Sequence, residues 1–180
     1  MISSIRTIIF LLIAIFSAYP AELSANESQR DASLIRAAIV YNIAKYVTWP
    51  TTGKNSNSNF IIGILANNST VQSWRNLNGK TIYGRTVEVR RIVDLEELSQ
   101  CQLIFIDTSE KKNLTRILAI ASDYPVLTIS EIEDFSRYGG MIALSVINNH
   151  MAFSINLKRA RSVNLALSSN ILKLATEVIK

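Results

Sequence analysis

The sequence predicts a single α/β domain. The expected fold is a mainly parallel sheet with helices on both faces, an antiparallel hairpin at one edge and a long C-terminal helix. Two observations support this prediction. Continuous apolar runs at residues 60–66 and 101–107 are typical of strands that are covered on both faces, as in parallel sheets. These runs alternate with helical segments along the chain, which favours a parallel sheet between two helical layers.

The first 25 residues have the layout of a secretory signal peptide. Arg6 supplies a positive charge, residues 8–16 are an unbroken apolar run, and a polar tract of small residues follows. The run is short against the roughly 20 apolar residues of a membrane span, although an uncleaved anchor is the structural alternative. We expect cleavage after Ala25, with Ala21 as second choice. The exported domain then covers residues 26–180, without membrane insertion of the mature chain.

The first half of this domain predicts helices and strands in alternation. A helix at about 31–47 is indicated by apolar residues at three- and four-residue spacing. The apolar residues assigned to its buried face are Leu34, Ile35, Ala38, Ile39, Ile43, Tyr46 and Val47. Pro50 ends the helix, because a residue before proline is displaced from the helical region. The strand at 60–66, a short helix at 71–77, a strand at 85–93 and an acidic helical turn at 94–98 follow.

The second half continues this pattern beyond the strand at 101–107. A helix at 108–122 begins with a Ser/Thr cap. A strand at 125–130 and a short helix at 131–136 come next. Two apolar segments around a polar turn predict the antiparallel hairpin at 139–156. The last helix is expected from Asn156, its cap, to about residue 179. Its apolar rows are wide enough to pack on the sheet and also to pair two subunits.

Composition and motifs exclude several functional classes. The net charge of +5 is spread along the chain without a Lys/Arg block, so no nucleic-acid partner is expected. The chain has one cysteine, Cys101, and one histidine, His150, so it forms no internal disulfide and no zinc site of these residues. Cys101 opens an apolar strand and is expected in the core. No nucleophile elbow or metalloprotease motif occurs, so we predict no catalytic residue, metal or cofactor.

Polar residues lie at the carboxyl ends of three of the predicted strands. They are Asn67, Asn68, Asp107, Ser109 and Ser130. Sheets of this type bind ligands at the carboxyl ends of their strands, so this set predicts a shallow crevice for a small polar ligand. The alternative is that these residues are ordinary strand ends and helix caps, which are commonly built from the same residue types.

Three cations crowd the start of the predicted last helix. Lys158, Arg159 and Arg161 lie where the helix dipole is positive and cations are unfavourable. Two interpretations remain open: neutralisation by carboxylates nearby in the fold, or contact with an acidic patch on another protein. The candidate carboxylates for neutralisation are Glu131, Glu133 and Asp134.

Taken in order, eight blocks of the chain resemble the YfiR family of periplasmic proteins. They are AAIVYNIAKYVTWP, FIIGILA, GRTVEVRRI, CQLIFID, PVLTISEIEDF, GGMIALSV, FSINLKRA and LSSNILKLA, over about residues 37–175. The most specific signature residues are Trp49, Pro50, Gly84, Arg85, Cys101, Gly139 and Gly140. We expect a structural role for them, with Trp49 as a large apolar anchor against the sheet edge and Pro50 redirecting the chain.

This resemblance implies regulation by binding. YfiR-like proteins are periplasmic dimers that restrain the sensing part of an inner-membrane diguanylate cyclase, and release raises cyclic di-GMP and favours biofilm. Redox state and disulfides influence this restraint within the family. Cys101 alone forms no internal bridge here, and an intermolecular bridge would require it to leave the core.

Three functional hypotheses follow. The first is a non-catalytic periplasmic repressor of a membrane-bound cyclase. The alternative is a periplasmic small-molecule-binding protein with its ligand at the strand ends. A hydrolase or transferase is the third, and no motif in the chain supports it.

Overall fold

The structure is a computed structural model that describes residues 20–50, 59–148 and 150–180, with side chains from residue 31 onward. The helices are α1 (Pro20–Ala44), α2 (Asn68–Trp74), α3 (Leu114–Ala121), α4 (Leu157–Ser162) and α5 (Ser169–Leu174). The strands are β1 (Val47–Thr48), β2 (Phe60–Leu65), β3 (Thr81–Ile82), β4 (Arg85–Arg91), β5 (Leu103–Ile106), β6 (Leu127–Ser130), β7 (Ile142–Ile147), β8 (His150–Asn156), β9 (Ala166–Leu167) and β10 (Glu177–Ile179). Short 3-10 helices are Arg75–Leu77, Leu95–Gln100 and Thr108–Asn113. Most of the predicted signal peptide, residues 1–19, lies outside the described residues.

The predicted α/β sheet is confirmed. Eight strands lie in the order β10-β8-β7-β6-β5-β2-β4-β3, and a separate pair joins β1 to β9. The strands β4, β2, β5, β6 and β7 are parallel to their neighbours within this group. β7 and β8 form the predicted antiparallel hairpin, and β10 pairs in parallel with the outer side of β8. β2 lies between β4 and β5, so the chain builds outward from β2 in both directions.

Helices cover both faces of the sheet, and each face has its own apolar core. Along β5, Leu103 and Phe105 belong to the core that contains α1 and α2, whereas Ile104 and Ile106 belong to the core beneath α3. All four of these side chains are completely buried. This alternation follows from the two-residue period of a strand, and it explains why the sequence of β5 is apolar throughout.

The prediction of a long C-terminal helix is wrong. The segment instead contains α4, β9, α5 and β10. α4 ends because Asn164 adopts a left-handed conformation, with φ 62°. The amides of Leu165 and Asn164 bond back to the carbonyls of Ala160 and Arg161, which is the Schellman pattern of helix termination. The apolar rows seen in the sequence therefore belong to several short elements.

The predicted end of the first helix and the predicted helix at 131–136 also differ from the structure. α1 ends at Ala44, because the chain turns there and Val47 pairs with Leu167 of β9. The predicted short helix at 131–136 is a series of turns, and Asp134 has φ 55°, which is incompatible with a continuing helix. Within the described residues, no helix combines the length and the hydropathy of a bilayer span.

Candidate functional site

A polar crevice lies at the carboxyl ends of β2, β5 and β6. Its volume is about 690 Å³, and its walls come from α1, α2 and the segments that follow the three strands. The chain leaves β2 for β4 on one side and later returns to β5 on the other side. This arrangement is the switch point at which open α/β sheets bind ligands. The crevice is therefore the candidate functional site.

An ion pair between α1 and the end of β6 forms one wall of the crevice. Arg36 Nε lies 3.0 Å from Glu131 Oε1, and the two side chains are 20% and 26% exposed. Burial raises the pKa of Glu131 above its ordinary value, and the charge of Asp107 raises it further, whereas Arg36 opposes both effects. The three charges therefore lie close enough to influence one another.

Asn67 and Asp107 line the same crevice, and both also act as helix caps. The side chain of Asn67 accepts hydrogen bonds from Thr70 N at 3.0 Å and from Ser69 Oγ at 2.7 Å. Asp107 accepts one from Ser109 N at 3.0 Å. The Asn67 oxygen also accepts from Thr70 Oγ1 at 3.1 Å, so capping bonds already occupy its two lone pairs. The bond from Ser109 N uses only one of about four acceptor positions of the Asp107 carboxylate, so the ligand interpretation applies mainly to Asp107.

The other three residues predicted at the strand ends do not line the crevice. Asn68 is an exposed first residue of α2, and Ser109 is exposed in a 3-10 helix. Ser130 is fully buried: its hydroxyl donates to Ile106 O at 2.7 Å and accepts from Ile132 N at 3.0 Å. The role of Ser130 in this structure is to connect β6 to β5 and to the following turn.

The α1 side of the crevice was missed by the sequence analysis. Ser33 and Arg36 line it, and the Ser33 hydroxyl is hydrogen-bonded to the Ser73 hydroxyl of α2. The sequence placed Leu34 and Ile35 on the buried face of the helix, but they are 38% and 55% exposed. The residues of α1 that are buried against the sheet are Ala37, Val40, Ile43 and Ala44. These four residues also recur at three- and four-residue spacing, and this was the available signal.

Lys158 and Arg161 are exposed on α4, and Arg159 is partly buried. In the described part of the chain, no salt bridge involves any of these three cations. Two of the carboxylates considered for their neutralisation pair elsewhere. Glu131 contacts Arg36, and Asp134 contacts Arg137 at 3.8 Å.

The signature residue Trp49 lies at the amino ends of the central strands, not at the sheet edge. Its ring packs edge-on against Phe60 of β2, with centroids 5.0 Å apart. Its indole Nε1 donates to the carbonyl of Gln102, directly before β5, at 2.8 Å. Pro50 follows as the last residue described before residue 59. Trp49 is thus an anchor with both an apolar and a polar contact.

The signature glycines occupy backbone positions that restrict other residues. Gly84 has φ 75° and follows Tyr83 with φ 51°, the two-residue turn that joins β3 to β4. Gly139 has φ 98°. At Gly140 an added Cβ would lie 2.1 Å from the ring of Phe135, so only glycine fits. Arg85 donates from Nη2 to the carbonyl of Asn59, and burial lowers its pKa.

Cys101 is buried, as the sequence predicts, with 5% of its surface exposed. Burial raises the pKa of its thiol to about 12, and the nearby Arg90 guanidinium opposes this shift. His150 is exposed at the hairpin turn. Among the residues that the structure describes, no three His, Cys, Asp or Glu side chains form a group that could hold a metal ion.

Comparisons with known proteins address the fold and the family. The profile of the YfiR/HmsC-like family matches residues 33–176. No curated protein matches the chain by sequence. A conserved domain protein from Vibrio cholerae O1 biovar El Tor strain N16961 has a similar fold, with TM-score 0.57 and 9% identity over 81% of this chain and 60% of that chain. The chain thus spans about three fifths of that protein.

A second solved structure is less similar. It is the ABC domain in complex with L-Trp from Streptococcus pneumonia, with TM-score 0.49 and 16% identity over 67% of this chain and 55% of that chain. The Vibrio structure supports the α/β fold, and the family profile supports the evolutionary relationship.

Proposed function

Because the chain belongs to the YfiR/HmsC-like family, we propose that it is a non-catalytic regulator of diguanylate cyclase signalling. It restrains an inner-membrane diguanylate cyclase by binding the periplasmic sensing domain of that enzyme, and it thereby lowers cyclic di-GMP and biofilm formation. The observation that carries this proposal is the family match over residues 33–176 of the 180. The family is regulatory rather than catalytic, which supports a role in binding.

The proposal includes export to the periplasm after removal of residues 1–25. It also includes assembly of the mature chain as a homodimer. Exposed apolar side chains on the described surface are compatible with such contacts: Val146 and Ile147 of β7 are 64% and 48% exposed.

We assign contact with the cyclase to the cations of α4. Lys158 and Arg161 are exposed, and no carboxylate of the described residues forms a salt bridge with either. Exposed cations of this kind accelerate association with an acidic surface and make it dependent on salt. An acidic patch on the sensing domain is therefore the expected counterpart.

Deletion of the gene tests the regulatory role. In a strain that holds the cognate cyclase, we expect deletion to raise cyclic di-GMP, and complementation with the wild-type gene to restore it. Complementation with Lys158→Glu/Arg161→Glu should fail, whereas Lys173→Glu, a charge reversal on α5, should complement. An unchanged cyclic di-GMP level after deletion would contradict the proposal. Full complementation by the double variant would remove α4 from the contact and leave the regulatory role intact.

Redox control through Cys101 is not part of the proposal. A thiol with a pKa of about 12 stays protonated at neutral pH, and the protonated form neither attacks disulfides nor oxidises readily. The signal that controls the restraint is expected to act on another part of the molecule.

The polar crevice favours a second candidate function, the binding of a small polar ligand that is present in the periplasm. Its position at the switch point of the sheet is the observation that supports this function. In a thermal-shift screen of polar metabolites, we expect a stabilising compound whose effect is lost in Asp107→Asn and retained in Asp123→Asn. Asp123 is exposed and lies outside the crevice. An equal loss in both variants, or no stabilising compound, would contradict this function.

A further inference from the structure

A second cleft lies beside α3, separate from the polar crevice. Its volume is about 510 Å³, and its walls come from α3, α4, the 3-10 helix before α3 and the turns before β7. Small-molecule sites in proteins commonly have volumes of about 300–1,000 Å³. The cleft therefore has a suitable size for a small ligand.

The floor of this cleft is apolar. Leu114 and Leu118 of α3 and Ile132 after β6 line it, together with the methyl group of the exposed Ala119. Tyr138 also lines the cleft and is 67% exposed, so its ring borders solvent. An apolar group that lay on this floor would cover apolar surface that water otherwise contacts.

The charge of the cleft is positive. Lys111 and Arg159 both line it, and no Asp or Glu is among its described lining residues. In the described part of the chain, neither cation forms a salt bridge. Within the described residues, the guanidinium of Arg159 makes a single long hydrogen bond, from Nη1 to Ser162 Oγ at 3.4 Å. Two cations thus border an apolar surface without a negative partner, and they come from separate parts of the chain.

We infer that this cleft binds a small organic anion with an apolar body, such as a medium-chain alkyl carboxylate. The carboxylate accepts charge-assisted hydrogen bonds from Lys111 and Arg159, which are stronger than bonds between neutral groups. The alkyl chain of the ligand lies on Leu114, Leu118 and Ile132, where burial of its surface is favourable in proportion to the area buried. This inference stands independently of the proposed role in cyclase regulation.

The sequence provides a matched control for each cation. Lys112 follows Lys111 in the same 3-10 helix, and Arg161 lies two residues after Arg159 on α4, but neither lines the cleft. Substitution of a lining residue and of its control removes the same charge from the protein. A difference in affinity between the two variants therefore reports the position of the charge in the cleft and not the net charge of the protein.

Titration calorimetry of the full chain with sodium decanoate below its micelle concentration tests the inference. We expect Lys111→Ala and Arg159→Ala each to weaken binding about tenfold, and Lys112→Ala and Arg161→Ala less than about twofold. Ala119→Phe, which fills the cleft from an exposed position, should weaken binding at least as much as Arg159→Ala. Acetate, without an apolar chain, and decyltrimethylammonium, with the opposite charge, should not bind.

Several outcomes would overturn the inference. One is the absence of binding heat with decanoate, and another is equal weakening by the lining variants and their controls. Equal affinity for decyltrimethylammonium would show that the two cations contribute nothing. A further outcome is that the protein sediments with phosphatidylglycerol vesicles but does not bind free decanoate. That result would show that the cleft contacts a membrane surface and not a free anion.

Discussion

The amino ends and the carboxyl ends of the central strands differ in the side chains that surround them. At the amino ends, the ring of Trp49 packs on Phe60 and its indole bonds to the backbone before β5. The short pair of β1 and β9 closes the same end, where Ser168 N donates to Tyr46 O at 2.9 Å. At the carboxyl ends, charged and hydroxyl side chains surround a crevice of about 690 Å³.

This difference separates the signature residues named from the sequence from the residues that could bind a ligand. Trp49 and the signature glycines satisfy packing and backbone constraints, so their substitution should be expressed mainly as lost stability. Arg36, Asp107 and Glu131 border open space, so their substitution should change binding or pH dependence with little loss of stability. Mutations at each end can sharpen or contradict this separation.

Gly140, two residues before β7, should show the largest effect. We expect Gly140→Ala to lower the free energy of unfolding by about 3 kcal/mol, because the new methyl group overlaps the buried ring of Phe135. Gly139→Ala is the control, because its new Cβ would meet nothing within 4 Å. Its positive φ alone should lower the free energy of unfolding by about 1 kcal/mol. Urea unfolding measures both values. Equal losses would show that the contact with Phe135 is not what requires glycine at position 140.

Trp49 should follow, with a loss of about 2 kcal/mol for Trp49→Ala, since the side chain is only partly buried. Trp49→Phe keeps an aromatic ring against Phe60 but removes the hydrogen bond to Gln102, and should cost about 1 kcal/mol. Arg36→Ala at the opposite end should cost less than about 1 kcal/mol, because its ion pair remains partly exposed. If Arg36→Ala proves as destabilising as Trp49→Ala in urea unfolding, the proposed separation of the two ends is wrong.

Asn164 should show a smaller effect. Asn164→Ala places an unsuitable residue at φ 62° and should lower the free energy of unfolding by about 1 kcal/mol, whereas Asn164→Gly should not lower it. This turn ends α4 and allows β9 to reach β1. Thermal or urea unfolding of the two variants provides the comparison. Equal losses for alanine and glycine would indicate that the side chain of Asn164, and not its backbone conformation, is what matters.

The parallel core of the sheet was predicted well because β2 and β5 are apolar on both faces. Continuous apolar runs that alternate with helical segments along the chain leave few other folds possible. The C-terminal segment was mispredicted because its apolar rows also fit a continuous helix, and a single left-handed residue, Asn164, ends it. A backbone conformation of this kind depends on hydrogen bonds that sequence spacing does not reveal.

The candidate site was predicted only in part. Asn67 and Asp107 were found because they follow strands, and residues in that position meet at one edge of a parallel sheet. Arg36 was missed because the buried face of α1 was assigned to Leu34 and Ile35, which are large and apolar. In the structure these two are exposed, and the smaller Ala37 lies against the sheet. Which face of a helix is buried depends on how closely the helix approaches its neighbours, and apolar spacing alone leaves that choice open.

Glu131 should show the smallest effect, which is a change in pH dependence. Burial and the charge of Asp107 raise its pKa above the ordinary value of 4.5, against the influence of Arg36. The folded protein therefore holds this proton more tightly than the unfolded chain. The resulting stability is complete below the unfolded pKa and is lost as the pH rises through the folded pKa. Glu131→Gln removes this loss, so its melting temperature relative to the wild type should increase between about pH 4 and pH 7.

The control for Glu131 is Glu133→Gln, which removes an exposed carboxylate two residues away. Thermal unfolding of both variants across this pH range separates the buried environment of Glu131 from a general effect of net charge. Arg36→Ala should extend the pH-dependent loss to higher pH, because the cation that opposes the raised pKa is gone. An identical pH trend in the Glu133 and Glu131 variants would mean that the crevice does not perturb its carboxylate. The carboxyl end of the sheet would then lack the electrostatic character that distinguishes it from the end closed by Trp49.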